Sequence, residues 1–424
     1  MKPPILPVAL LTVLLLPMPA WSAGPATAAD WPQWHGPGRD GHAAGPPALA
    51  ALPRELNPAW KIAVGGGHAG VVVAGGTLVY LDEDGTREVA HALDVATGKE
   101  RWRVDYADVF RDEWGAGPRA TPMIDGDRVY VQSCDGEFRC LALADGRTLW
   151  KVNFGTDFGV KFLGAKANEG TATRRGNNGS GVIDGARLIL PVGSRQGASL
   201  VCLDKATGRV LWKSGSDEAA YSSLVTGTLG GVRQVVAFTA EALLGADLET
   251  GRILWRVPLK TNAKRHAVTP RILGNRVLVS SHTFGLRCFE ITPDDGGLSA
   301  REAWANPALP INLATLVAVG PSLYGQGAKS DLICVDAATG QVRWSQAGFG
   351  LGRKDYASTI AAGDRLLVLT EGGTLVLLAA DPARYTELGR LQICGSTWSF
   401  PALAGGKLYV RDARQLLCLD LAKP

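Results

Sequence analysis

The sequence predicts an all-β fold: an eight-bladed β-propeller of four-stranded antiparallel blades, closed by pairing its N- and C-terminal strands. Three observations carry this. A phrase of fixed composition recurs along the chain, tryptophans return at a regular step, and Asp-Gly turns separate short apolar runs. The phrase is a short apolar strand, then Asp, then Thr-Gly, then Trp. It runs from Leu93 through Asp94, Thr97 and Gly98 to Trp102, and again from Leu203 through Asp204, Thr207 and Gly208 to Trp212. Asp247 to Trp255 and Asp336 to Trp344 keep the spacing. Ala144 to Trp150 is a shortened copy, Phe289 to Trp304 a lengthened one, and Leu377 to Leu391 a copy without its Trp.

Trp60, Trp102, Trp150, Trp212, Trp255, Trp304 and Trp344 fall at steps of 42, 48, 62, 43, 49 and 40 residues. Four strands of about five or six residues with three short turns fill such a step. The unit around residue 130 shows the pattern. Thr121 to Ile124, Arg128 to Ser133, Phe138 to Leu143 and Thr148 to Val152 read as strands, with Asp125-Gly126 and Asp135-Gly136 as turns. Asp-Gly between apolar runs signals a hairpin because the turn needs positive φ. Seven phrases are continuous. The eighth is split, with Leu416 to Asp420 at the end of the chain and Asn57 to Trp60 at the start of the domain. Joining them closes the ring and removes free sheet edges. One large aromatic per blade is expected to fill the gap between neighbouring sheets.

The chain has 424 residues, 46% hydrophobic, enough for a large core, and its 53 glycines suit many tight turns. A formal charge of +4 spread along the chain argues against a nucleic-acid partner. Lys2, the apolar run Ile5 to Leu16 and the small-residue site Ala20-Trp21-Ser22 read as a cleavable export signal over residues 1–22, with Ala26-Thr27-Ala28 as a second cleavage candidate. Residues 23–54 then form a leader and 55–424 the propeller. No later run is apolar for about twenty residues, so no transmembrane anchor is expected. No cysteine precedes Cys134 to carry a lipid. The expectation is a monomer in the periplasm or outside the cell.

Cys140, Cys202, Cys288, Cys334 and Cys418 share one repeat position, just ahead of the Asp, taken elsewhere by Gly245 and His91. This reads as a small buried strand position. Cys134 and Cys140 flank one hairpin without standing opposite each other, so no disulfide is expected.

The inner strand of each blade begins at one mouth of the central channel. The turn glycines after these strands set a register: Gly75, Gly126, Gly185, Gly227, Gly274, Gly320, Gly363 and Gly405. Five places earlier stand Gly70, Thr121, Ser180, Ser222, Thr269, Thr315, Ser358 and Phe400. Just before those, side chains should ring the mouth: His68, Arg119, Asn177, Asn178, Tyr221, His266, Asn312, Asp355, Tyr356, Thr397 and Trp398. Together they suggest a concave polar pocket with an aromatic wall. A metal site is not expected, because His68 and His266 lie across the ring from each other. The longest insertion, 153–178, carries Lys161, Lys166, Arg174 and Arg175 and is placed to cover an anionic ligand, with Trp114 on the same rim. No nucleophile motif, phosphate loop or zinc spacing occurs.

The recurring Ala/Leu-x-Asp-x-x-Thr-Gly-x-x-x-Trp phrase resembles the tryptophan-docking motif of PQQ-type propellers. Trp31-Pro32-Gln33-Trp34-His35-Gly36-Pro37, with Arg39-Asp40-Gly41, resembles the leader of secreted bacterial proteins in that group. The resemblance implies one of two roles. One is a cofactor-free binding or scaffold protein, like the propeller lipoprotein of the outer-membrane β-barrel assembly machine, with a protein partner or small ligand at the channel mouth. The other is a PQQ- and calcium-dependent alcohol or sugar dehydrogenase. The quinone would then lie between Trp398 and Arg119, Asn178 and Asp355, with Asp355 as a general base. The chain is shorter than those dehydrogenases and lacks their adjacent cysteines and a carboxylate–amide cluster for calcium.

Overall fold

The computed structural model describes residues 30–43, 50–162, 175–264, 266–348 and 356–421. The predicted signal segment, Asp355 and residues 163–174 of the insertion lie outside them. Eight four-stranded antiparallel sheets follow one another along the chain. The second blade comprises Met123–Asp125, Arg128–Gln132, Glu137–Ala142 and Thr148–Asn153, within a residue or two of the predicted strands. Ring closure is as expected. Pro58–Ala63 pairs antiparallel with Gln415–Asp420 and supplies the outer strand of the eighth blade. No helix among the described residues is long and apolar enough to cross a membrane.

The repeated phrase is an inter-blade clamp. Asp94 Oδ1 accepts from the backbone N–H of Thr97 at 3.0 Å and from its hydroxyl at 2.9 Å, which bends the chain into a tight turn. Asp204, Asp247 and Asp336 do the same. Gly98 then adopts φ +70, and a Cβ there would come within 2.7 Å of Trp60, from the neighbouring blade. Gly146, Gly208, Gly251 and Gly340 face Trp102, Trp150, Trp212 and Trp304 in the same way. Most of the tryptophans also donate Nε1–H to a backbone carbonyl of the next blade. Trp60 reaches Val95 O at 3.1 Å, Trp102 reaches Leu143 O at 2.8 Å and Trp212 reaches Leu248 O at 3.1 Å. Trp255 is the exception. The next blade there is a long hairpin, Gly285–Asp294 with Gly297–Asn306, and lacks the turn, so Trp255 donates to Gln234 Oε1 at 2.6 Å.

The recurrent cysteines stand opposite these tryptophans across the sheet: Cys140 with Trp150, Cys202 with Trp212, Cys288 with Trp304, Cys334 with Trp344 and Cys418 with Trp60. The indole covers that position, so only a small residue fits. All seven cysteines are buried and free. One register is corrected. Ala92, not His91, faces Trp102 in the first blade. His91 points to the other side, where Nε2 meets Asp82 Oδ1 at 2.9 Å and Nδ1 meets Glu100 Oε2 at 2.7 Å. In the seventh blade Gly389 takes the tryptophan's place opposite Leu377, and Leu52 packs over it, so the leader fills the missing indole's space.

A second correction concerns the fourth blade. Its inner strand is longer, Val225–Leu229, and its turn glycine is Gly230 at φ +57 rather than Gly227. The hydroxyl residue in register is therefore Ser223, not Ser222. Ser223 Oγ accepts from Ser180 N at 3.0 Å, and Ser223 N donates to Thr269 Oγ1 at 3.1 Å. Gly70 N to Thr121 Oγ1 and Thr269 N to Thr315 Oγ1, each 3.1 Å, continue the ring. Small hydroxyl side chains thus satisfy the backbone where the strands converge.

Candidate functional site

The leader occupies the channel. Trp31 exchanges two backbone hydrogen bonds with Val73 in the first blade, and Pro32 O accepts from Ile124 N in the second. Arg39 Nε donates to Leu224 O beside the fourth blade at 2.9 Å, and Arg271 of the fifth donates to Arg39 O at 3.2 Å. His42 reaches Ala318 O in the sixth at 2.7 Å, and Gly41 and Ala43 bond to Ala361 in the seventh. Residues 31–43 therefore cross the axis and tie most blades together. Two tight turns make this possible. Gly36 and Gly41 both sit at φ +79, the former beneath the ring of Trp31.

The channel is consequently a blind funnel, open at one mouth. Its floor, with a cavity of about 120 Å³, is Trp34, His35 and Phe400 beneath the hydroxyl ring. Above it lies a cavity of about 260 Å³ lined by His68, Arg119, Asn178, Tyr221, Tyr356 and Trp398, with Trp114, Arg175 and Asn312 at the rim. Of the residues predicted to ring the mouth, these bring together His68, Arg119, Asn178, Tyr221, Asn312, Tyr356 and Trp398. The fold uses three others elsewhere. Asn177 is buried, donating to Pro191 O at 2.5 Å and packed on Gln132. His266 is fully buried, stacked on Phe238 and bonded to Thr239 O at 2.7 Å. Thr397 donates to Arg411 O at 2.6 Å. Sequence reasoning did not place Trp34 and His35 in the site. Their tight Trp-His-Gly turn and proximity to Arg39 were the available signal.

The wall is aromatic. The Trp398 and Trp114 rings are 5.7 Å apart, and His68 lies 5.3 Å from Trp398. Its cations are already matched. Arg119 is held by both oxygens of the fully buried Asp112 carboxylate at 2.8 and 2.5 Å. Arg175 pairs with Glu113 at 2.7 Å and lies over the Trp114 ring. Burial pushes His68 down to about 4, so its imidazole is neutral at pH 7 and bonds to Trp114 O at 3.1 Å. Burial raises Tyr356 to about 12, keeping a neutral hydroxyl that is hydrogen-bonded to the Ser358 hydroxyl at 3.0 Å, either group able to donate. Such a wall stacks on flat groups and offers neutral hydrogen bonds.

The profile of the family described as outer membrane protein assembly factor BamB matches residues 54–157, 136–261 and 182–346. No curated protein matches by sequence. Solved structures share the fold, among them the following three. BamB from Moraxella catarrhalis is 14% identical over 86% of this chain and 98% of its own, with a TM-score of 0.60. A quinohemoprotein alcohol dehydrogenase from Pseudomonas putida HK5 is 12% identical over 94% and 81%, with a TM-score of 0.65. The computationally designed protein Ika8 is 12% identical over 87% and 98%, with a TM-score of 0.58. At these identities the likeness is one of architecture, and function must come from the site.

Proposed function

The chain belongs to the PQQ-type propeller family described as outer membrane protein assembly factor BamB, and we propose that it is a binding propeller without redox chemistry of its own. Its blind funnel receives a ligand or a segment of a partner protein. The observation that carries this is the leader-closed channel, whose aromatic walls have their charged groups already paired. Such a pocket holds a guest by stacking and neutral hydrogen bonds. The export signal read in the sequence and the family's description support an extracytoplasmic site of action.

The dehydrogenase alternative needs PQQ and calcium, and the described residues do not fit the calcium. Calcium wants six or more oxygen ligands, usually including free carboxylates. Asp112 and Glu113 are engaged by Arg119 and Arg175, and the upper cavity otherwise offers Asn178, Asn312, Tyr221 and Tyr356. No group of three His, Cys, Asp or Glu side chains placed to hold a metal ion occurs among the described residues.

Dye reduction with a panel of alcohols and sugars, after incubation with PQQ and calcium, tests the reading. We expect none, together with photo-crosslinks from Asn312 to a ligand or partner in the exporting cell. Calcium-dependent turnover would overturn it.

A further inference from the structure

We propose that the floor of the funnel is a seat for an organic carboxylate, received by the imidazole N–H of His35 and drawn inward by the buried guanidiniums of Arg39 and Arg271. This rests on the binding role argued above and names the chemistry of its guest.

Arg39 and Arg271 are only 5% and 7% exposed, yet neither is paired with a described carboxylate. Arg39 donates to Leu224 O and Gln33 Oε1 and lies over Trp34, while its Nη2 has no partner. Arg271 donates to Leu316 O, Arg39 O and His35 Nδ1. Asp40, whose charge Arg271 feels, accepts from His42 N at 3.0 Å. Two buried cations served only by neutral acceptors are costly to fold around, and buried charge is normally paired.

His35 connects this charge to the cavity. Arg271 Nη2 lies 3.3 Å from His35 Nδ1. A guanidinium can only donate, so Nδ1 carries the lone pair and Nε2 the proton. Burial first, then the charges of Arg271 and Arg39, hold the imidazole neutral. It sits between Trp34 and Phe400 at centroid distances of 3.8 and 4.1 Å, on the cavity floor. His35 and Arg39 also share left-handed backbone at φ +60 and +53, unusual for non-glycine residues and found preferentially at functional sites. The funnel thus presents one neutral donor backed by two positive charges, below walls whose own cations are matched. A flat body stacked near Trp398 with its carboxylate pointing down satisfies both ends. The carboxylate belongs to a small organic acid or to the C-terminus of a peptide.

The test is calorimetric titration of the whole protein with indole-3-acetate and with indole-3-acetamide, a neutral isostere. It is repeated with acetyl-Gly-Trp carrying a free or an amidated C-terminus, and with inorganic phosphate. We expect one or both acids to bind at least about tenfold more tightly than the matching amide. That preference should disappear in His35→Leu and survive in His35→Gln, which keeps a donor. The arm that binds identifies a free acid or a peptide terminus as the guest. Equal binding of acid and amide, binding of phosphate alone, or no binding of any acid overturns the carboxylate seat while leaving the binding role intact. Calcium-dependent dye reduction overturns the binding role itself. The acid–amide comparison on the unaltered protein stands even if a variant fails to fold.

Discussion

Arg271 donates from Nη2 to Nδ1 of His35 at 3.3 Å, across 236 residues of sequence. That contact joins the leader to the inner wall of the fifth blade and turns a channel into a pocket. Arg271 also serves Leu316 O and Arg39 O, so one side chain holds two blades and the leader.

Replacing Arg271 with Met leaves those carbonyls unserved but removes a buried charge. We expect a net loss on the order of 2 kcal/mol, and a new protease cut between Asp30 and Ala43 as the leader loosens. Limited proteolysis with mass analysis reads both. An intact leader in the variant would show that the backbone bonds of Trp31 and Gly41 hold it unaided.

The clamp of glycine under tryptophan is separable from backbone preference. Gly208 and Gly126 both have positive φ, at +74 and +58. A Cβ on Gly208 would meet Trp150 at 2.7 Å, whereas one on Gly126 would meet nothing within 4 Å. Gly126→Ala should cost about 1 kcal/mol from the backbone alone. Gly208→Ala should cost about 1–3 kcal/mol more from overpacking. Urea unfolding midpoints give the comparison, and equal losses would rule out a packing role for the indole.

All seven thiols are buried and unpaired. Burial pushes Cys202 and Cys288 up to about 12, far from the reactive thiolate form. The folded protein should be inert to a thiol reagent, and the unfolded protein should titrate for seven without prior reduction. A shortfall after unfolding would reveal a disulfide.

His266 should make the protein acid-sensitive. Burial lowers it from 6.5 to about 4 in the folded state. Above pH 6.5 it is neutral folded or unfolded. Between 6.5 and 4 the unfolded chain gains a proton that the folded one refuses, so stability falls as pH falls. The slope from this group is at most about 1.4 kcal/mol per pH unit. His266→Gln keeps a donor for Thr239 O, so the native protein's margin over it should shrink through that window. A margin independent of pH would contradict this.

The sequence revealed whatever was repeated. Asp204, Thr207, Gly208 and Trp212 recur because each makes the same turn and the same clamp in successive blades, so blade number and closure could be counted. Register failed at two positions. The longer inner strand before Gly230 displaced the expected hydroxyl from Ser223 to Ser222; in the first blade the repeat is unaltered, and the position opposite the tryptophan is Ala92, two places before Asp94 as Cys202 is before Asp204, not His91. The funnel was half legible. Trp398 and Arg119 follow from their place before an inner strand, but Asn177 and His266, in the same window, turn into the core. Which way such residues face depends on loop packing that has no period. Trp34 and His35 lie outside every repeat, and only the folded ring shows that the leader ends on its axis.

On the proposed reading the funnel binds its guest without calcium or a quinone reaction. Calorimetric titration with PQQ, in the presence and absence of calcium, tests this. The same titration is expected in both conditions. PQQ binding that tightens at least about tenfold with calcium and vanishes in Trp398→Ala would contradict it.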